Sequence, residues 1–209
     1  MPKVVTLGEW EHARAELLEA EKEATRKLDA IAAQRRRMPM VKIGNEYDFV
    51  SSAGGNTSLL DLFEGNNQLV IYQFMDNGGQ DVCEGCSYFT NGVPEHALVE
   101  LSSNGISWAN VSDMPISQID SLKEKMGWKI PFYSSHGTSF AKDCGVSKMF
   151  MLTAFLRDGN EIYRTYSCTR RGVDRIMFAN NIMDLSVYGR QESWEDSPPG
   201  WPQHPTYGG

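Results

Sequence analysis

Apolar residues along this chain recur at helical spacing near its start, crowd into a continuous run in its middle, and alternate with polar residues beyond. From Trp10 to about Arg37 the positions Trp10, Ala13, Leu17, Leu18, Ala24, Leu28 and Ile31 form one narrow stripe among Ala, Glu, Lys and Arg, which predicts a long amphipathic helix. Thr6-Leu7-Gly8-Glu9 has the form of a capping box in front of it and Pro39 stops it. The stripe is too short for sustained heptads, so an arm packed on its own domain is expected rather than a coiled coil. The run Arg35-Arg36-Arg37 reads as a basic helix end that complements the dipole. Between Val41 and Gly65, short apolar pieces are separated by Gly44, Asn45, Gly54, Gly55 and Asn56, and Ser58 to Gly65 reads as one or two helical turns.

Leu69 to Met75 is apolar almost throughout and predicts a buried strand. A loop, Asp76 to Val82, leads into a helical segment from Ser87 to about Ser103 that Gly92 and Pro94 interrupt. A strand from Ile106 to Val111 follows, then an amphipathic helix from Ser117 to Met126 that Gly127 closes. After Trp128 to Tyr133 and an irregular stretch from Ser134 to Val146, the runs Met149 to Leu156 and Glu161 to Tyr166 flank Asp158-Gly159 and predict a hairpin. A helix from Gly172 to about Leu185 completes the order. Strand-helix units followed by a hairpin and a closing helix predict an α/β fold of thioredoxin-like topology. It would hold a mixed central sheet of four or five strands with helices on both faces, plus a long N-terminal helix and an extended C-terminal tail. The expected division is an N-terminal helical extension, 1–40, a thioredoxin-like domain, 41–186, and an aromatic, Pro-rich tail, 187–209. Trp194 and Trp201 are expected to pin that tail to the domain or to a second subunit by burying ring area.

Composition narrows the function. The chain has 209 residues, 41% of them apolar, enough for a sizeable core. Its 20 basic and 27 acidic residues give a net charge of −7, which offers no footprint for nucleic acid or an anionic membrane. The first thirty residues lack the apolar centre of a secretory signal and the acid-poor character of a transit peptide, so a cytoplasmic protein is expected. In a reducing compartment structural disulfides are rare, which points Cys83 and Cys86 toward catalysis, redox sensing or metal binding. Cys144 and Cys168 stand alone and read as small buried hydrophobes.

The chemistry centres on Cys83-Glu84-Gly85-Cys86, placed directly after the strand and its loop. If Cys83 opens a helix, the unpaired N–H groups of the first turn and the macrodipole favour its thiolate. The same spacing also serves as half of a zinc site, and context separates the two readings.

Taken together, the charged N-terminal helix, Leu59-Leu60-Asp61-Leu62-Phe63-Glu64-Gly65, Tyr72-Gln73-Phe74-Met75, the Cys83 to Ser87 motif, Lys125-Met126-Gly127-Trp128, Pro131 to Ser135, Phe155 to Gly159, Trp201-Pro202 and Tyr207-Gly208 resemble the thioredoxin-like family catalogued as domain of unknown function 899. The resemblance covers nearly the whole chain. It implies a dithiol-disulfide oxidoreductase with Cys83 and Cys86 as its catalytic pair, and it leaves the substrate undefined. Two positions depart from the family pattern. Glu84 stands where Pro or Ser is common, and its carboxylate should raise the Cys83 pKa; Asp113 stands where a basic residue is frequent, which disfavours anion binding in that loop.

In the redox reading Cys83 attacks a disulfide, a peroxide or another small molecule and Cys86 resolves the product, with no cofactor. Ser87 and the helix N–H groups are placed to stabilise the thiolate, and Tyr88 or Trp108 to shape an apolar rim. Thioredoxins set a cis-proline against the motif, and Val146 to Met149 contains none, which leans toward a small-molecule or peroxide substrate. The alternative is copper held by Cys83, Cys86 and His136, with His96 as the second-choice imidazole; a zinc site would need Cys144 or Cys168, neither at ligand spacing. A third reading is a non-redox accessory protein with an apolar pocket above the motif, which Met149 and Met151 would line. A homodimer is expected through the N-terminal helix and the tail from Trp194 to Tyr207.

Overall fold

The structure is a computed structural model, and it describes residues 2–44, 46–79, 82–146, 149–196 and 198–201. Expectations that fall on Asn45, on Ser147 and Lys148, and on Pro202, Tyr207 and Gly208 lie outside those residues. The chain forms two units, residues 1–39 and 40–209.

The first unit is one helix, α1 (Leu7–Arg35). The Thr6 side chain accepts the Glu9 N–H at 3.3 Å while the Glu9 carboxylate accepts the Thr6 N–H at 2.9 Å, so the capping box satisfies two groups at the open end. Exposed pairs such as Lys27 with Glu23 at 2.7 Å each add a few tenths of a kcal/mol. No residue of α1 is buried.

In the second unit, β1 (Val41–Ile43), β2 (Asp48–Ser51) and β3 (Asn56–Ser58) precede a 3₁₀ turn at Asp61–Phe63 and the central strand β4 (Gln68–Phe74). Then come α2 (Glu84–Asn91), α3 (Glu95–Ser103), β5 (Ile106–Ser112), α4 (Ile116–Met126), β6 (Phe132–Ser134) and the short α5 (Phe140–Asp143). The hairpin β7 (Met151–Asp158) and β8 (Glu161–Cys168), a 3₁₀ segment at Arg170–Ile176 and α6 (Phe178–Leu185) close the fold. Gly92 and Pro94 divide α2 from α3, and Gly127 ends α4 at φ 68°, a left-handed conformation that glycine adopts without a Cβ clash.

The strands join one sheet in the order β1-β8-β7-β4-β5-β6-β2-β3. β4, β5 and β6 run parallel, whereas β7 and β8 are antiparallel beside β4. The segment β5-β4-β7-β8, with α2 and α3 between its parallel strands and α6 after the hairpin, is the thioredoxin-like arrangement. Among the described residues the expected four or five strands are corrected to eight. β1 joins one edge through β8, and β2 and β3 extend the other through β6, so the apolar pieces after Val41 are strands. The expected helix from Gly172 is also corrected: its first turns are 3₁₀ and the α-helix begins at Phe178.

Alternation along β4 divides the core. Leu69 and Ile71 face one cluster with Phe49, Phe63 and Phe140; Tyr72 and Phe74 face the other with Cys86, Phe89, Ile119 and Val173. Both faces of β4 are therefore covered, which is why its sequence is an unbroken apolar run.

Candidate active site

Cys83 is the N-cap of α2, in extended backbone (φ −61°, ψ 109°), and the Cys86 N–H donates to its Sγ at 3.3 Å. The loop after β4 brings it to the carboxyl end of the parallel strands, where open α/β sheets present their reactive groups. Cys83 is half-buried and its Sγ lies 3.7 Å from the Met75 Sδ. Cys86 is fully buried one helical turn on, and the Met75 N–H donates to its Sγ at 3.5 Å. All four cysteines are free thiols.

The two thiols are polarised in opposite directions. Donation from the Cys86 side chain draws the Cys83 pKa down to about 6, and the N–H groups of Cys86 and Gly85 add to it. Partial burial and the Glu84 carboxylate oppose the shift, with Glu84 the weakest influence. Cys86 moves upward because its proton is engaged by the Cys83 sulfur and because it is buried; donation from the Tyr72 hydroxyl and the Met75 N–H works against that rise. The pair therefore holds one proton between two sulfurs at neutral pH, a thiolate outside and a thiol inside.

The supporting residues are tied to the sheet and to α6. Tyr72 stacks on Phe89 with ring centroids 4.1 Å apart and planes 14° apart. The Tyr88 hydroxyl donates to Asn180 Oδ1 at 2.9 Å, and the Trp108 indole donates to Asn110 Oδ1 at 3.0 Å. Tyr88 thus braces α2 against α6, and the Trp108 ring lies near-parallel to Phe89 with centroids 6.3 Å apart.

The structure brings Cys83 and Cys86 together and leaves His136 apart from them. His136 is exposed, with Nδ1 2.9 Å from the Asp113 carbonyl, and His96 is exposed on α3. Among the described residues no three His, Cys, Asp or Glu side chains gather as a metal ligand set. Cys144 is core, its thiol pushed up to about 12 by burial, whereas Cys168 is only partly buried against the second cluster, so the expectation of a buried thiol holds in full for Cys144 alone. Tyr72 and Met75 are contributors that motif reading passed over. Their signal is positional: they lie in the strand that delivers the motif.

The chain belongs to the family described as bacterial protein of unknown function, DUF899, whose model matches residues 1–207. No curated protein matches it. Among solved structures it is similar to a peroxiredoxin Q mutant of Xanthomonas campestris, at 16% identity and TM-score 0.48, over 65% of this chain and 90% of that one. A peroxidoxin of Mycobacterium tuberculosis matches at 15% identity and TM-score 0.46, over 62% and 84%. A Xylella fastidiosa peroxiredoxin Q mutant matches at 13% identity and TM-score 0.46, over 66% and 92%. Among the described residues no helix is long and apolar enough to cross a membrane.

Proposed function

We propose that the protein is a dithiol oxidoreductase in which Cys83 is the nucleophile and Cys86 the resolving thiol. The observation that carries the reading is the half-buried Cys83 sulfur at the amino end of α2, its pKa lowered to about 6 by the Cys86 thiol and helix N–H groups. With a disulfide substrate, the Cys83 thiolate attacks one sulfur, forming a mixed disulfide and releasing the other half as a thiolate. That thiolate takes up a proton as Cys86 gives one up. The Cys86 thiolate then attacks the Cys83 sulfur and expels the second half. The substrate gains two electrons, one proton from Cys86 and one from solvent as the second half leaves, and the protein is left with a Cys83–Cys86 disulfide that an external dithiol reductant reopens. With a hydroperoxide, Cys83 becomes a sulfenic acid as the alcohol leaves, and Cys86 displaces water. Both routes use the two sulfurs alone and suit a reducing compartment such as the cytoplasm.

Thiol counting tests this. Mild oxidation of the wild type should remove two thiols as one intramolecular Cys83–Cys86 disulfide, and Cys83→Ser should lose none in that way. A wild type that keeps all four thiols under those conditions would sink the redox reading in favour of a non-redox accessory role. The exposed apolar side chains Trp10, Leu17 and Ile31 of α1 further support a homodimer. Sedimentation at micromolar concentration should then give twice the 23.5 kDa chain mass, and a monomer would end that proposal.

A further inference from the structure

A cavity of 190 Å³ lies beside the dithiol, walled by Tyr72, Gly85, Phe89, Phe150, Val173 and Trp194. Two of these walls adjoin the reactive pair. The Gly85 N–H faces the Cys83 sulfur, and the Tyr72 hydroxyl faces that of Cys86. A further wall, Trp194, comes from the C-terminal segment, far away in sequence.

That wall is held in place by a buried charge. Arg190 is buried, with Nη1 3.0 Å from Asp174 and Nε 2.8 Å from Asp184. Glu195 accepts the Gln191 N–H at 2.9 Å, which closes the turn carrying Trp194. On the other side the Arg171 guanidinium sits 4.9 Å over the Trp194 ring. Asp174 also lines the cavity, but its carboxylate is committed to Arg190 and Arg171. Arg170 also lines the cavity and is exposed. Of the charged residues that line the cavity, two are arginines and one is an aspartate.

We infer that this pocket receives the substrate, and that the substrate is an amphipathic anion: an aromatic or branched hydrocarbon body carrying a carboxylate. The inference rests on the dithiol reading for its chemistry and adds the class of molecule presented to it. A hydrocarbon-lined cavity of about 150 Å³ stays dry and takes up benzene, so this one accommodates a ring with a short chain. The apolar body seats against Phe150, Val173 and Trp194, and the anionic end meets Arg170.

Calorimetric titration of the reduced full chain with 4-phenylbutyrate tests the pocket without any redox step. One site is expected. Trp194→Ala should weaken it by about tenfold, and Trp194→Phe should recover part of the loss. Arg170→Ala should bring the acid down to the affinity of neutral 4-phenylbutanol. Trp194 is 45% exposed, so its removal should leave the melting temperature nearly unchanged. Absent binding, or equal binding by Trp194→Ala, overturns the inference. A second arm compares oxidation of the dithiol by a dicarboxylated aryl disulfide and by bis(2-hydroxyethyl) disulfide, each divided by its rate with glutathione. The aryl reagent should be preferred by wild type and not by Trp194→Ala. Trp194-dependent binding with neither disulfide outpacing glutathione would keep the pocket and defeat the dithiol reading. Rapid oxidation by both, with no binding and no preference, would do the reverse.

Discussion

The Cys83 sulfur is the focus of five influences, and their ranking decides its chemistry. Donation from Cys86 and from two N–H groups lowers its pKa, while partial burial and Glu84 raise it. The lowering side wins because its donors touch the sulfur directly, whereas Glu84 is exposed and screened by water. The expected opposition from Glu84 is therefore present and small. Replacing it tests that ranking: Glu84→Gln should lower the Cys83 pKa further, by less than Cys86→Ala raises it. A more stable thiolate also stabilises the reduced form, so Glu84→Gln should be the stronger oxidant, and its equilibrium with glutathione should shift toward the dithiol. A shift toward the disulfide would contradict this.

At the level of helices and strands, placement of the motif depends on β4, whose alternation sends Tyr72 to Cys86 and Ile71 to the opposite core. The closing segments depend on Arg190, whose guanidinium ties the turn after α6 to the 3₁₀ segment before it. Removing one partner of a buried ion pair strands the other charge, so Arg190→Met should cost about 3 kcal/mol in urea unfolding. The double variant Arg190→Met with Asp174→Leu should regain most of that loss. A cost under about 1 kcal/mol for the single change would mean that the pair behaves as an exposed one. Local signals made several elements legible in sequence: the apolar run of β4, Asp158-Gly159 between β7 and β8, Gly127 after α4, and the Thr6-Glu9 box. Strands β1, β2 and β3 were not legible, because three- and four-residue strands carry too little periodicity and owe their existence to distant partners such as Val50 with Ser134.

The whole molecule combines a thioredoxin-like core, extended at both sheet edges, with a site assembled from distant parts of the chain. The nucleophile and its resolving partner were readable because one short motif holds both. The Trp194 wall was not, since more than a hundred residues separate it from Gly85 and contacts such as the Arg190 ion pairs and the Arg171 guanidinium over its ring bring it there. A Cys83 thiolate stabilised by the folded chain underlies each of these features. Because folding lowers that pKa from 9.0 to about 6, the group's contribution to stability is complete above pH 9 and is lost as pH falls through 6. The most direct test is the rate of Cys83 alkylation by iodoacetamide against pH in the reduced protein, mapped by mass spectrometry. The rate should rise about tenfold per pH unit below 6 and level off above about 7, as thiolate replaces thiol. A profile that keeps climbing to pH 8.5 or beyond, as in the urea-unfolded chain, would show an ordinary thiol and contradict the proposed mechanism.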